Sequence, residues 1–157
     1  MSVNYYDIKY LIDETPCASL QNDWIKSEFF QNYCYVPEEI LFELRDNIFL
    51  DMSLLIKRNI PVTYEILNKL QYFVMPQIGK IVDLYKNEGN GDALLIATAL
   101  DMREKEDKKL VKSEWIIVTS DKGVANLAKK FNIRTISKSD FFEIITQKCE
   151  AERQAGK

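Results

Sequence analysis

Four carboxylates occupy positions where an acid can do more than meet water: Asp13, Glu43, Asp92 and Asp121. Asp13 closes the apolar run IKYLI, and Asp121 follows the apolar run WIIVT. Asp92 opens the buried-looking stretch DALLIATAL directly after the pair Gly89 and Gly91, and Glu43 lies about two turns beyond Pro37. Each has a plain alternative. Asp92 and Asp121 are well placed as helix N-caps. Glu43 sits among Glu38, Glu39 and Asp46, as a solvent-facing residue would, and Asp13 can initiate a turn before Glu14, Thr15 and Pro16. Brought together, the four would repel one another and raise each other's pKa. A hard divalent cation, Mg2+ or Mn2+, removes that conflict, because it takes carboxylate oxygens and keeps positions for water and phosphate oxygens. Ions held in this way activate water and steady a leaving oxygen in phosphodiester cleavage.

The rest of the composition narrows the chemistry. The chain of 157 residues contains no histidine. Ser-His-Asp and Cys-His catalysis, the usual catalytic zinc sites and imidazole acid–base chemistry are therefore excluded. Cys17, Cys34 and Cys149 are odd in number and show no C-x-x-C spacing, which reads as structural thiols. A formal net charge of −3 provides no global field for nucleic acid. The local exception is residues 122–138, where Lys122, Lys129, Lys130, Arg134 and Lys138 occur with no acid among them. Such a cluster is either a solvated helix face or a phosphate-facing edge. Lys108, Lys109 and Lys112 form a second, smaller group.

The elements that must position these residues follow from periodicity. Strands are expected over residues 8–12, 33–36, 115–119 and 133–137, with a short strand or extended connection at 60–63. Helices are expected over 20–30, after Pro37, over 49–57, over 64–73 and 76–87 with a break near Pro76, and over 92–105, 122–131 and 139–148. The tail MREKEDKKL of the 92–105 helix reads as wholly polar and exposed, and residues 149–157 as a disordered end without an anchor. Strands that are continuously apolar and alternate with helices predict an α/β domain over residues 1–148, with a mainly parallel central sheet flanked by helices. Ligands of such sheets gather outside the carboxyl ends of the strands, where Asp13 and Asp121 would stand. No apolar run is long enough to span a bilayer, and the N-terminus lacks the features of a signal peptide. A cytoplasmic chain with no membrane partner is the expectation.

In order and context these motifs resemble the PIN-domain family of metal-dependent ribonucleases. The resemblance rests on YLID at Asp13, VPEEILFEL at Glu43, GNGDALLIATAL at Asp92 and IVTSDKGV at Asp121, followed by IRTIS and a helix beginning SDFFEII. It covers most of the chain in outline, with residues 47–88 contributing little. It implies a single-domain three-layer sandwich and an endoribonuclease whose Mg2+ or Mn2+ is held by Asp13, Glu43, Asp92 and Asp121. Thr119 would orient Asp121 or a water. It further implies an RNA substrate, a homodimer and a role as the toxin of a toxin–antitoxin pair, silenced by a cognate antitoxin that blocks the acidic pocket. One departure stands out. The family usually follows its first aspartate with a small hydroxyl or amide residue, whereas Glu14 follows Asp13 here, which makes Asp7 a competing first acid. The alternatives are a PIN-fold binding or scaffold module without catalysis, and an α/β interaction domain whose acids are only caps. Ligands to one ion would converge, whereas caps would be dispersed and bonded to backbone N–H groups.

Overall fold

Residues 7–78 and 90–156, except for the side chains of residues 90–92, are described by a computed structural model. The first half runs β1 (Asp7–Ile12), α1 (Glu14–Ala18), α2 (Asn22–Lys26), α3 (Glu28–Tyr33), β2 (Cys34–Pro37), α4 (Glu38–Glu43), α5 (Met52–Leu55) and β3 (Asn59–Ile60). The second half runs α6 (Tyr64–Lys69), α7 (Met75–Ile78), α8 (Asn90–Asp107), β4 (Ser113–Val118), α9 (Lys122–Lys130), β5 (Thr135–Ile136) and α10 (Lys138–Ala155). The strands form one sheet in the order β3-β2-β1-β4-β5, and every neighbouring pair is parallel. β1 and β4, the two longest, pair along their whole length from Asp7↔Ser113 to Ile12↔Val118.

Alternation along β1 shows why two helical layers are needed. Tyr10 packs against Phe29 of α3 and Phe141 of α10, whereas Lys9 next to it bonds Glu106 of α8. Adjacent side chains point to opposite faces, so α3 and α10 cover one face and α8 the other. Leu11, Ile12, Ile116, Ile117 and Val118 are almost wholly buried between the layers. Ala93 and the successive residues Leu95, Ile96, Ala97, Thr98 and Ala99 of α8 are buried. That part of the helix packs against the sheet, α6 and α9.

Several boundaries differ from expectation, each for a local reason. The helix expected over 20–30 is two helices, because Ser27 is extended (ψ 153°) and its hydroxyl donates to the Trp24 carbonyl (2.6 Å) while accepting from the Phe30 amide (3.1 Å). One side chain thus ends α2 and caps α3. The break expected near Pro76 is absent. The chain passes from α6 through a π-turn at Leu70–Val74 into α7, which contains Pro76. A widened turn ahead of a proline relieves the missing N–H and the ring's clash with the preceding turn. Residues 79–87 of that expected helix, and Gly89, lie outside the described residues.

Two expectations of exposure or disorder are corrected. The segment 149–155 continues α10 as ordered helix, anchored by buried Cys149 and by Glu152, whose Oε1 accepts the Phe29 amide (2.7 Å). The polar tail of α8 is not wholly exposed either, since Glu106 is 3% exposed. Glu106 Oε1 accepts from Lys9 (2.9 Å), Trp115 Nε1 (3.1 Å) and Lys109 (3.2 Å), and its Oε2 from the Ser113 amide (3.1 Å). Burial alone would raise this carboxyl, but the four donors outweigh it and hold the pKa near about 2.

Candidate active site

The strand order reverses between β1 and β4, since the chain lays β2 and β3 on one side of β1 and places β4 and β5 on the other. Adjacent crossovers leave this sheet on opposite faces there, which opens a crevice at the carboxyl ends of the two strands. The residues that emerge into it are Asp13, directly after Ile12, and Thr119 to Asp121, directly after Val118. The Asp13 amide donates to the Val118 carbonyl (3.0 Å) and the Thr119 amide to the Ile136 carbonyl (3.0 Å), so both loops leave the sheet in register.

Thr119 joins the two acids. Its hydroxyl, buried with the residue 5% exposed, donates to Asp13 Oδ2 (2.8 Å) and accepts from the Asp121 amide (3.1 Å). The expected role was to orient Asp121 or a water; the hydroxyl meets Asp121 only at its backbone amide, and its donated bond goes to Asp13. Burial pushes the Asp13 carboxyl up, bonds from Thr119 and the Glu14 amide pull it down, and the nearby charge of Asp121 raises it further. Thr119→Val should therefore cost about 1–3 kcal/mol in urea unfolding, through loss of buried bonds to both neighbours, whereas Thr119→Ser should remain near wild type.

The other wall is α4, which starts at Pro37 where β2 ends. Glu43 is exposed, as a solvent-facing residue would be, and Glu39, one turn earlier, is half-buried; both lie near enough to Asp13 to feel its charge. Burial raises Glu39 to about 7, with further contributions from the charges of Glu38 and Asp13. Glu43 also rises to about 7, through desolvation, a hydrogen bond with Glu14, and the charges of Glu14, Glu39 and Asp13. Both carboxylate oxygens of Glu39 are buried and have no hydrogen-bond partner among the described residues. Sequence reasoning counted Glu39 only as one acid of a polar helix. The available signal was its position, since residues four apart share a helix face, so Glu39 had to accompany Glu43.

Asp13 and Asp121 also serve as caps. Asp13 Oδ1 accepts the Glu14 amide (2.8 Å) at the head of α1. Asp121 Oδ1 accepts the Gly123 (2.7 Å) and Val124 (3.3 Å) amides at the head of α9. A Cβ on Gly123 would stand 3.0 Å from that oxygen, so the glycine of SDKGV permits this close approach. Asp13 thus spends one oxygen on the Glu14 amide and the other on the Thr119 hydroxyl, whereas both capping bonds of Asp121 fall on Oδ1.

The remaining candidates divide between the two ends of the sheet. Asp92 is the third residue of α8. This helix spans about 27 Å and ends beside the start of β4, so it begins near the carboxylate crevice; the Asp92 side chain lies outside the described residues. Asp7, the competing first acid, is at the start of β1, about 20 Å along the strand from Asp13, and accepts a hydrogen bond from the Ser113 hydroxyl. It belongs to the opposite edge. The basic cluster also splits, because α9 must run back across the sheet before β5. Lys122 and Lys138 follow the carboxyl ends of β4 and β5, whereas Lys129, Lys130 and Arg134 lie toward the far edge, where Arg134 pairs with Glu114 (3.2 Å). The cluster is therefore not one phosphate-facing surface.

The crevice offers oxygen ligands, two of them orphaned on Glu39, and Asp13, Glu39 and Glu43 hold their protons more tightly than usual. That donor set suits a hard cation. Among the described residues no three acidic or thiol side chains are gathered closely enough to hold an ion as they stand. No protein-family model matches the chain, and no curated protein matches it.

Proposed function

We propose that the chain is a metal-dependent endoribonuclease of the PIN-like kind, with its reaction centre in the crevice between β1 and β4. The observation that carries this reading is the buried, unpartnered Glu39 carboxylate near Asp13 at the switch point of a parallel sheet. Desolvating a carboxylate without a donor is costly, and a cation is the partner that would compensate it. Asp13, Glu39, Glu43 and Asp121, with Asp92 from the head of α8, would hold Mg2+ or Mn2+. The bound ion would supply a lowered pKa for water and neutralisation of phosphate charge.

The chain's own residues prepare that chemistry. Thr119 fixes one oxygen of Asp13 and the backbone of Asp121, so the two acids keep a set spacing. Buried Ile12 and Val118 beneath them exclude water from below. Lys122 and Lys138, at the same edge, would meet the phosphates of a strand lying across the crevice. A homodimer and a cognate antitoxin belong to the same proposal. Phe42, Ile48, Phe49 and Ile56, each more than half exposed around α4 and α5, offer an apolar surface for such a partner beside the acidic wall.

A second reading, a binding module without catalysis, is favoured by the capping bonds of Asp13 and Asp121. Cleavage of single-stranded RNA separates the two. With Mn2+ or Mg2+ present the wild type should cut, EDTA should stop it, and Asp13→Asn or Asp92→Asn should slow it roughly a hundredfold or more. Cutting that persists through both EDTA and the substitutions would rule out the metal-carboxylate mechanism. Absence of cutting together with absence of metal binding by calorimetry would support the binding module.

A further inference from the structure

On the α8 face, near the starts of the strands, lies a second cavity of about 330 Å3. That is the low end of small-molecule sites, room for one compact ligand. Its floor is apolar and aromatic: Tyr35 and Trp115 pack at 5.0 Å between ring centres with their planes tilted by 43°, flanked by Ile60 and Met102, and Lys9 Nζ sits 5.6 Å from the Trp115 ring centre. Its rim is cationic, with Lys105 in the last turn of α8 and Lys109 just past the end of that helix. Lys9, the third residue of β1, borders it from the sheet, about 13 Å along the strand from Asp13, so this cavity is separate from the carboxylate crevice.

The charges around the cavity do not cancel. Among the described residues Glu106 is the only acid lining it, yet Lys9 and Lys109 both pair with its Oε1, which also accepts Trp115 Nε1. Three donors compete for an oxygen with two lone pairs, and Lys109, at 3.2 Å and 52% exposed, is the most loosely held of them. Lys105 reaches Asp101 Oδ2 at 3.2 Å, while Lys69 holds the other oxygen, Oδ1, at 2.9 Å and also meets Glu104 at 2.6 Å. Behind Tyr35, the Arg58 guanidinium stacks 4.2 Å from the ring centre and adds a further positive charge.

From an apolar aromatic floor and an exposed cationic rim on which Lys109 is loosely held, the geometry points to a binding site for a small organic phosphate with a flat ring, of the size of a nucleoside monophosphate. The ring rests against the Tyr35–Trp115 wall, and the phosphate accepts from Lys105 and Lys109. The site is independent of the nuclease reading, since it uses none of the crevice residues.

Adenosine 5′-monophosphate is the probe. Trp24 and Trp115 are the two tryptophans, so a Trp24→Phe background makes Trp115 the reporter. Titration at low salt should quench its fluorescence saturably. In the same background Lys105→Gln/Lys109→Gln should weaken binding about tenfold or more, as expected for lost charge-assisted bonds, and far-UV circular dichroism should stay unchanged because both lysines are more than half exposed. Adenosine and inorganic phosphate should each bind more weakly, and Asp13→Asn should bind as the parent does. The proposal is overturned by no saturable change up to millimolar probe, by undiminished affinity in the folded double variant, or by phosphate alone binding as well as the nucleotide.

Discussion

Glu39→Met should make the protein more stable at pH 7.5 while removing RNA cleavage. The substitution deletes two buried oxygens that lack donors and keeps an apolar chain of similar length. A gain of about 1–2 kcal/mol is expected from relief of an unsatisfied buried group. Melting should rise by about 2–4 °C per kcal/mol in a domain of this size. The sign of the pH dependence follows from the raised carboxyl. The folded form holds the Glu39 proton up to about pH 7, above the ordinary 4.5, so wild-type stability is fullest below 4.5 and falls as pH climbs through 7. The variant's advantage should accordingly shrink at pH 5. Thermal melts at the two pH values, beside a cleavage assay with Mn2+, decide the matter. A large loss of stability at pH 7.5 would mean the carboxylate is structurally satisfied after all, and unchanged cleavage would remove Glu39 from the centre. A residue that costs stability and is required for activity is the usual compromise of a reaction site.

The second large effect is expected far from that crevice. Glu106→Ala should destabilise the fold by about 3–5 kcal/mol, as removal of one partner from a buried ion pair does. The change would strand Lys9, which is only 18% exposed, and leave Trp115 Nε1 and the Ser113 amide without their acceptor. With its carboxyl held near 2 in the folded state against an ordinary 4.5, Glu106 contributes stability above about pH 4.5 that is lost as pH falls toward 2. Urea unfolding at pH 7 and pH 3 should show the wild-type advantage narrowing with acid. A change within about 0.5 kcal/mol, typical of surface positions, would show that the four bonds do not hold Glu106 as described.

These two residues also mark what could be read from the chain and what could not. β1 and β4 were legible because their apolar runs are continuous, and the aspartates at their ends were legible because a parallel sheet fixes which edge they occupy. Glu39 was hidden because a short helix rich in acids looks the same whether it faces water or a crevice; its burial depends on what β1 brings opposite. Glu106 was hidden for the related reason that its partners are distant in sequence, with Lys9 lying 97 positions away. The ordered end of α10 rests likewise on one long-range bond, from the Phe29 amide to Glu152. The split of α2 from α3 turns instead on a local hydroxyl that competes for backbone, a choice that helical periodicity does not register. The division of the basic cluster needed only topology: once α9 returns across the sheet, its two ends cannot serve one surface.

The sheet ends on both sides in stubs, β3 at Asn59–Ile60 and β5 at Thr135–Ile136, each two residues long. A foreign strand arriving at either border would find scarcely one rung of ladder to extend, which protects against edge-to-edge stacking. Among the described elements, assembly with a second chain must therefore proceed through side chains on the helical layers, where sequence changes can tune it, and not through main-chain pairing, which would accept almost any extended peptide.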